Sequence, residues 1–117
     1  MKSPSYPFLK TDQSSTATLV VGKGTALTTM EVQNINTSDV FIQIFDAVAA
    51  ADVSVGTTVA KQSYVIPASD GANRSASSKD WGDRGLMFTN GIVIAITTTV
   101  GGSTAPATAC VVNMTYA

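Results

Sequence analysis

The sequence contains no histidine, and Cys110 is its single cysteine. Without histidine, the Ser-His-Asp and Cys-His arrangements of nucleophilic catalysis lack their base. A tetrahedral zinc site draws on several Cys and His ligands, which this chain does not supply. A lone cysteine excludes an internal disulfide, so stability has to come from packing, and nothing ties folding to an oxidising compartment. Charge is scarce as well. Asp, Glu, Lys and Arg make up 13% of the residues, and the formal net charge is −1. The seven Lys and Arg are scattered, so there is no basic stripe for a phosphate backbone and no nucleic-acid partner is expected. The longest apolar run, residues 92–96, is far too short to span a bilayer, so no membrane partner is expected either. The first ten residues include Pro4 and Pro7 and lack the continuous apolar stretch of a signal peptide. The expectation is a soluble protein made in the cytosol without an export signal.

What the chain does have is 117 residues, 44% of them apolar, enough for one domain with one core. Abundant Thr, Ser, Ala and Val suit a β protein with a hydroxyl-rich surface, or one that hides surface in an assembly. The strongest strand signal is Val40-Phe41-Ile42-Gln43-Ile44-Phe45-Asp46. Alternation sends Val40, Ile42 and Ile44 to one face, and Phe41, Gln43 and Phe45 to the other. Such a strand needs apolar cover on both faces. It gets that cover at the centre of a two-layer sandwich or under a neighbouring chain.

Further strands are expected over 16–21, 26–34, 57–66, 74–78, 92–99 and 109–116, with a short apolar segment at 86–88. In 26–34, positions 26, 28, 30 and 32 share one face. Residues 34–39 are rich in turn formers, so 26–46 reads as a β-hairpin with a longer loop. Residues 47–52 read as a connection with one helical turn. Short strands, regular turn signals and no sustained helical period argue for an all-β chain. The expected fold is a single antiparallel β-sandwich, jelly-roll or immunoglobulin-like, over residues 16–117. Residues 1–15 differ in composition and read as an extended N-terminal arm, because its prolines favour extended backbone. Tyr6, Phe8 and Leu9 would anchor that arm on a neighbouring subunit; the plainer alternative is a disordered tail.

Candidate chemistry is thin. Trp81 lies in a Gly-rich loop with Asp80, Asp83 and Arg84. A sugar stacked on Trp81 and held by the carboxylates is one reading, and paired acids also serve glycoside hydrolysis. The preferred reading is a loop whose aromatic ring tucks over the end of the sandwich, with a solvated Asp-Arg contact. Asp46, Asp52, Asp80 and Asp83 do not form the dense acidic loop that calcium needs. Gly22-Lys23-Gly24-Thr25 lacks the first glycine and the following helix of a phosphate-binding loop, so it reads as a turn. Cys110 reads as a small buried hydrophobe. No catalytic, cofactor-binding or metal-binding residue is nominated.

One order of phrases is more informative. Met30-Glu31-Val32-Gln33-Asn34 enters a turn, and Val40 to Ala47 follows. Gly56-Thr57-Thr58 and Val65-Ile66-Pro67-Ala68 come next, then Gly85-Leu86-Met87-Phe88-Thr89-Asn90-Gly91-Ile92 and a final Val-rich strand. Over residues 26–117 this order resembles the small β-sandwich proteins of tailed-phage particles, a group that includes capsid decoration, or cement, proteins. The resemblance implies a structural role without catalysis. Decoration proteins of that group sit as trimers on the capsid and clamp neighbouring capsid subunits. The implied partners are the major capsid protein and the chain itself as a homo-oligomer. The implied location is the capsid surface of the virion, after synthesis in the host cytoplasm. On this reading the expected interface residues are Tyr6, Phe8, Leu9, Phe41, Phe45 and Trp81. The alternatives are a tail, neck or fibre-tip component with the same domain, and a carbohydrate-binding module using Trp81 and Tyr64.

Overall fold

The computed structural model describes residues 5–117. Among the described residues, alternating β-branched and aromatic residues give nine strands. They are β1 (Tyr6–Gln13), β2 (Thr18–Val21), β3 (Thr25–Asn34), β4 (Val40–Asp46), β5 (Gln62–Ile66), β6 (Ser75–Asp80), β7 (Leu86–Phe88), β8 (Ile92–Thr97) and β9 (Cys110–Tyr116). A single 3₁₀ turn, Ala50–Asp52, lies between β4 and β5. The first sheet runs β1-β9-β3-β6, with β7 also on β3, and the second runs β2-β8-β4-β5. All pairings are antiparallel.

β6 and β7 pair with successive parts of β3 and together act as one interrupted strand. Counted that way, the first four strands pair with the later ones in reverse order: β1 with β9, β2 with β8, β3 with β6 and β7, and β4 with β5. The chain is one long hairpin with its tip at 47–61, rolled up so that its two arms form a two-layer sandwich. Of the two expected sandwich types, this is the jelly roll.

Two expectations about local pairing are corrected. Residues 26–46 are not a hairpin, because β3 and β4 lie in different sheets. The Asn-rich segment between them crosses from one layer to the other. Buried Asn34 donates from Nδ2 to Ser38 O (3.1 Å) and Pro67 O (3.0 Å), and its Oδ1 accepts from Asn36 Nδ2 (2.8 Å). Turn-forming side chains satisfy backbone groups equally well in a hairpin loop and in a crossover. The other correction concerns the arm. Residues 6–13 are the edge strand β1, registered on β9 with Phe8 opposite Met114 and Leu9 opposite Asn113. An extended arm and an edge strand share one backbone conformation, and the free side of β9 supplies the partner. The first four positions of the expected arm lie outside the described residues.

The core between the sheets holds Met30, Val32, Val112 and Met114 from the first layer against Val40, Ile42, Ile44, Ile92, Ile94 and Ile96 from the second. A β-bulge in β3 between Leu27 and Thr29 interrupts its alternation. The inward residues are therefore Leu27, Met30 and Val32, and the face expected to run through 26, 28, 30 and 32 is broken there. The gap between β6 and β7 sits opposite the bulge. There Trp81 N–H donates to Thr28 O (2.9 Å). Gly85 turns with φ +70°, and an added Cβ would stand 2.8 Å from Leu27 O.

A second, smaller cluster of Phe45, Val53, Val93 and Ala95 lies on the outer face of the second sheet. Val53 comes from the tip segment, as do the flanking residues Val55 and Ala60. The second cover that β4 requires is thus supplied by the chain itself. Only Gln62–Ile66 of the expected strand 57–66 is a strand; of the residues before it, Ala60 packs into this cover.

Candidate functional site

Strand alternation decides what each nominated residue can reach. On β1, Phe8 turns inward and is half-buried against the core, whereas Leu9 turns outward and is 61% exposed. Tyr6, at the rim, stacks on Tyr116 with ring centroids 5.6 Å apart. Phe41 is half-buried on the outer face of β4, between its register partners Val65 and Thr97. Phe45 is only 1% exposed. Its expected role as a contact to a partner is corrected, because Val53, Val93 and Ala95 already cover its ring. Trp81 is half-buried against the core, 6.0 Å from the Tyr64 ring, and Lys79 Nζ lies 4.9 Å from the centre of that same ring. The six residues do not form one site. β1 and the loop after β6 lie at opposite edges of the first sheet, and Phe41 belongs to the second sheet.

One broad feature is the outer face of the first sheet. Register aligns Leu9, Asn113, Glu31 and Ser78 in one row across β1, β9, β3 and β6, and Pro7, Thr115, Thr29 and Asp80 in the next. Four strands at their usual spacing make this floor roughly 14 Å wide. It forms an open trough of about 640 Å³. The floor carries hydroxyls, one amide and two carboxylates, and some of these groups are already engaged. The Thr29 and Thr115 hydroxyls are 2.6 Å apart, and Glu31 accepts from Gln33 Nε2 at 3.1 Å. Asp80 Oδ1 accepts from Gly82 N–H at 2.8 Å. Such a surface offers an open, flat approach with dispersed hydrogen-bonding groups. Among the described residues, nothing pairs with the outer edge of β1, which borders the trough.

The sequence reading missed this face. Strict alternation puts 27, 29, 31 and 33 together on the second side of that strand, which holds for 29, 31 and 33 but not for Leu27, which lies in the core on the other side of the bulge. Nothing local told the sequence reading that β9, β1 and β6 would continue that polar row.

Asp46, at the end of β4, accepts from the N–H groups of Thr89 (3.1 Å), Asn90 (2.8 Å) and Gly91 (3.4 Å) and so clamps the turn before β8. Burial alone would raise its pKa. The three donors and the nearby Lys61 outweigh that and hold it below the ordinary carboxylate value. The Cys110 thiol is pushed up to about 11 by burial, with Arg74 acting weakly in the opposite direction. It is unreactive at neutral pH.

Among the described residues, no three His, Cys, Asp or Glu side chains converge where a metal ion would sit. No helix among them is long and apolar enough to cross a membrane. Comparison with family models and with curated proteins finds no match.

Proposed function

We propose that the chain is a non-enzymatic structural protein of a phage particle: a capsid decoration protein that stabilises the shell by bridging capsid subunits. Its partners are the major capsid protein and further copies of itself, arranged as a trimer on the capsid surface. The observation that carries this reading is the outer face of the first sheet. It spans four strands, joins the polar side chains of Asn113, Glu31, Ser78, Thr115, Thr29 and Asp80 to apolar Leu9 and Pro7, and is bordered by the free edge of β1 with Leu9 exposed. Contact over such a floor is weak for one copy and becomes strong when many copies engage a repeating shell. Jelly rolls recur in viral capsid domains, which supports the reading at the level of fold analogy.

The test is addition of the purified protein to expanded capsids, with the melting temperature of the shell as the readout. Wild type is expected to bind and raise it. Leu9→Lys and Asn113→Lys, both on the open floor, are expected to lose that effect while keeping their own fold. Shells that melt unchanged with wild type would reject the reading. Location at the tail, neck or fibre tip in a particle reconstruction would move the same domain to that position. Nothing specific favours the glycan reading. Trp81 is half-buried, and Lys79 lies against the Tyr64 ring it would use. A glycan array comparing wild type with Trp81→Ala decides it.

A further inference from the structure

Asn90 is the only asparagine in the sequence followed directly by glycine. That dipeptide loses ammonia readily, because a neighbour without a Cβ lets the backbone nitrogen reach the side chain. The Gly91 nitrogen gives up its proton and attacks Asn90 Cγ. An N–C bond forms, the Cγ–Nδ2 bond breaks, and ammonia leaves with the proton. Water then opens the cyclic imide at one of its two carbonyls. The product is aspartate or isoaspartate. In isoaspartate the backbone runs through the side chain and is one methylene longer. The reaction needs the Gly91 nitrogen free to swing onto Cγ, a near-attack geometry.

The fold withholds that geometry. Asn90 is exposed, whereas Gly91 is buried. The N–H groups of Gly91 and Asn90 both donate to Asp46 Oδ1, at 3.4 and 2.8 Å, and Thr89 N–H donates to Oδ2 at 3.1 Å. Gly91 O accepts from Ala47 N–H at 3.3 Å. A Cβ on Gly91 would stand 2.5 Å from both Ala47 O and Val21 O, so the residue is wedged between two backbone carbonyls. Swinging the Asn90–Gly91 peptide toward Cγ would break the contacts with Asp46. It would also place a negative charge on the Gly91 nitrogen beside a carboxylate, which opposes the loss of the proton.

We propose that Asn90–Gly91 is a self-modification site that the folded chain keeps closed through Asp46 and that the unfolded chain opens. The isoaspartate product cannot return to the fold. An extra methylene between residues 90 and 91 has no room where Gly91 is wedged, and it moves the two N–H groups off Asp46. A chain that lingers unfolded therefore marks itself at Asn90 and leaves the folded pool. Nothing in this chemistry depends on what the chain binds.

The test incubates the full chain at neutral pH, folded in buffer and unfolded in guanidinium, and maps its peptides by mass with detection of isoaspartate. Exchange of ammonia for water changes the mass of the peptide that holds Asn90. Asp70–Gly71 forms the same imide by losing water and returns with its mass unchanged, so the two sites are told apart. Unfolded wild type is expected to react at Asn90 about a hundred-fold faster than folded wild type, the usual cost of misplacing a reacting atom. Folded Asp46→Ala is expected to react about ten-fold faster than folded wild type, the weight of hydrogen bonds to a charged acceptor. Gly85→Ala, destabilised in the first sheet, is the control for global opening and is expected to match wild type. If Asp46→Ala does not fold, Asp46→Asn takes its place with a smaller rise. After return to buffer, isoaspartate at position 90 is expected only in chains that fail to refold. Equal rates in folded and unfolded wild type would overturn the proposal, as would isoaspartate chains that refold to the native urea midpoint. Equal acceleration by Gly85→Ala and the Asp46 variant would overturn the part given to Asp46.

Discussion

Replacing Phe45 with Ala separates two accounts of why β4 is apolar on both faces. If the second face is covered by a neighbouring copy, the lone chain already exposes Phe45, and truncation costs it little. In this structure the ring is 1% exposed and packs on Val53, Val93 and Ala95. Truncation then loses the transfer free energy of a phenyl ring and leaves a cavity, a loss of roughly 3–5 kcal/mol for well-packed sites. The tip segment contributes Val53, Val55 and Ala60 and, apart from the 3₁₀ turn Ala50–Asp52, is irregular, so it can partly collapse into the gap. That argues for the lower end, about 3 kcal/mol. A domain of this size holds on the order of 5–15 kcal/mol in total, so the effect is large and easily read. Urea unfolding followed by tryptophan fluorescence is the assay, with Leu9→Ala as the exposed control, expected within about 0.5 kcal/mol of wild type. The melting temperature of Phe45→Ala should fall by roughly 10 °C or more. A loss below about 1 kcal/mol for Phe45→Ala in the isolated chain would refute the account of self-cover.

Three further outcomes follow from the same geometry. Asp46→Asn keeps an acceptor for Asn90 and Gly91 but turns a donor toward the Thr89 N–H, so it should cost about 1 kcal/mol at neutral pH. Because the folded pKa of Asp46 lies below its ordinary value of 3.8, its contribution is complete above that value and is lost as pH falls through the lower folded one. The gap between wild type and the variant in urea midpoint should therefore close in acid below 3.8, and a gap independent of pH would count against the clamp. Cys110, fully buried with its thiol pushed up to about 11, should react with an aromatic disulfide reagent only as fast as the chain opens; immediate labelling of the native protein would contradict its burial. Gly85 and Gly82 both have positive φ, but only at Gly85 would a Cβ meet backbone, so Gly85→Ala should cost at least about 1 kcal/mol more than Gly82→Ala, and equal midpoints would show that the turn yields freely.

Residues 40–46 were legible to the last position, because period-two alternation and the flanking turn residues agree there. The same kind of signal misled elsewhere. Thr57, Thr58 and Val59 have strand propensity, yet Thr57 and Thr58 N–H both donate to Ser54 O and Val59 is 90% exposed. A local turn took the backbone that a ladder would have used. β1 read as an arm because Pro7 and a Ser-rich end looked like a tail, and its partner β9 lies at the other end of the chain. The crossover at 35–39 read as a hairpin loop because Asn34 and Asn36 suit either geometry, and only long-range pairing chooses between them. The trough had no signal in the sequence, since it depends on which strands become neighbours.

The rolled hairpin makes the two outer faces unequal. Its tip folds back over the centre of the second sheet, where Gln43, Phe45, Val93, Ala95 and Thr97 are all buried. The outer face of the first sheet receives no such cover and keeps Leu9 in solvent beside a polar floor. Broad contact with a flat partner is therefore offered by the first sheet, whereas on the second the centre is covered and Leu19, Phe41 and Val65 stay partly exposed beside it. A molecule that bridges two surfaces needs two different contacts on opposite sides, and the proposed bridging role would rest on this asymmetry: an uncovered, shallow face on one layer and a covered centre on the other. Substitutions at Leu9 and at Val65 lie on different layers and share no neighbours, so in a bridging protein their effects on capsid binding should add. If either substitution alone abolished all measurable binding and the other had no effect, one layer would be carrying the whole contact, and bridging would be the wrong description.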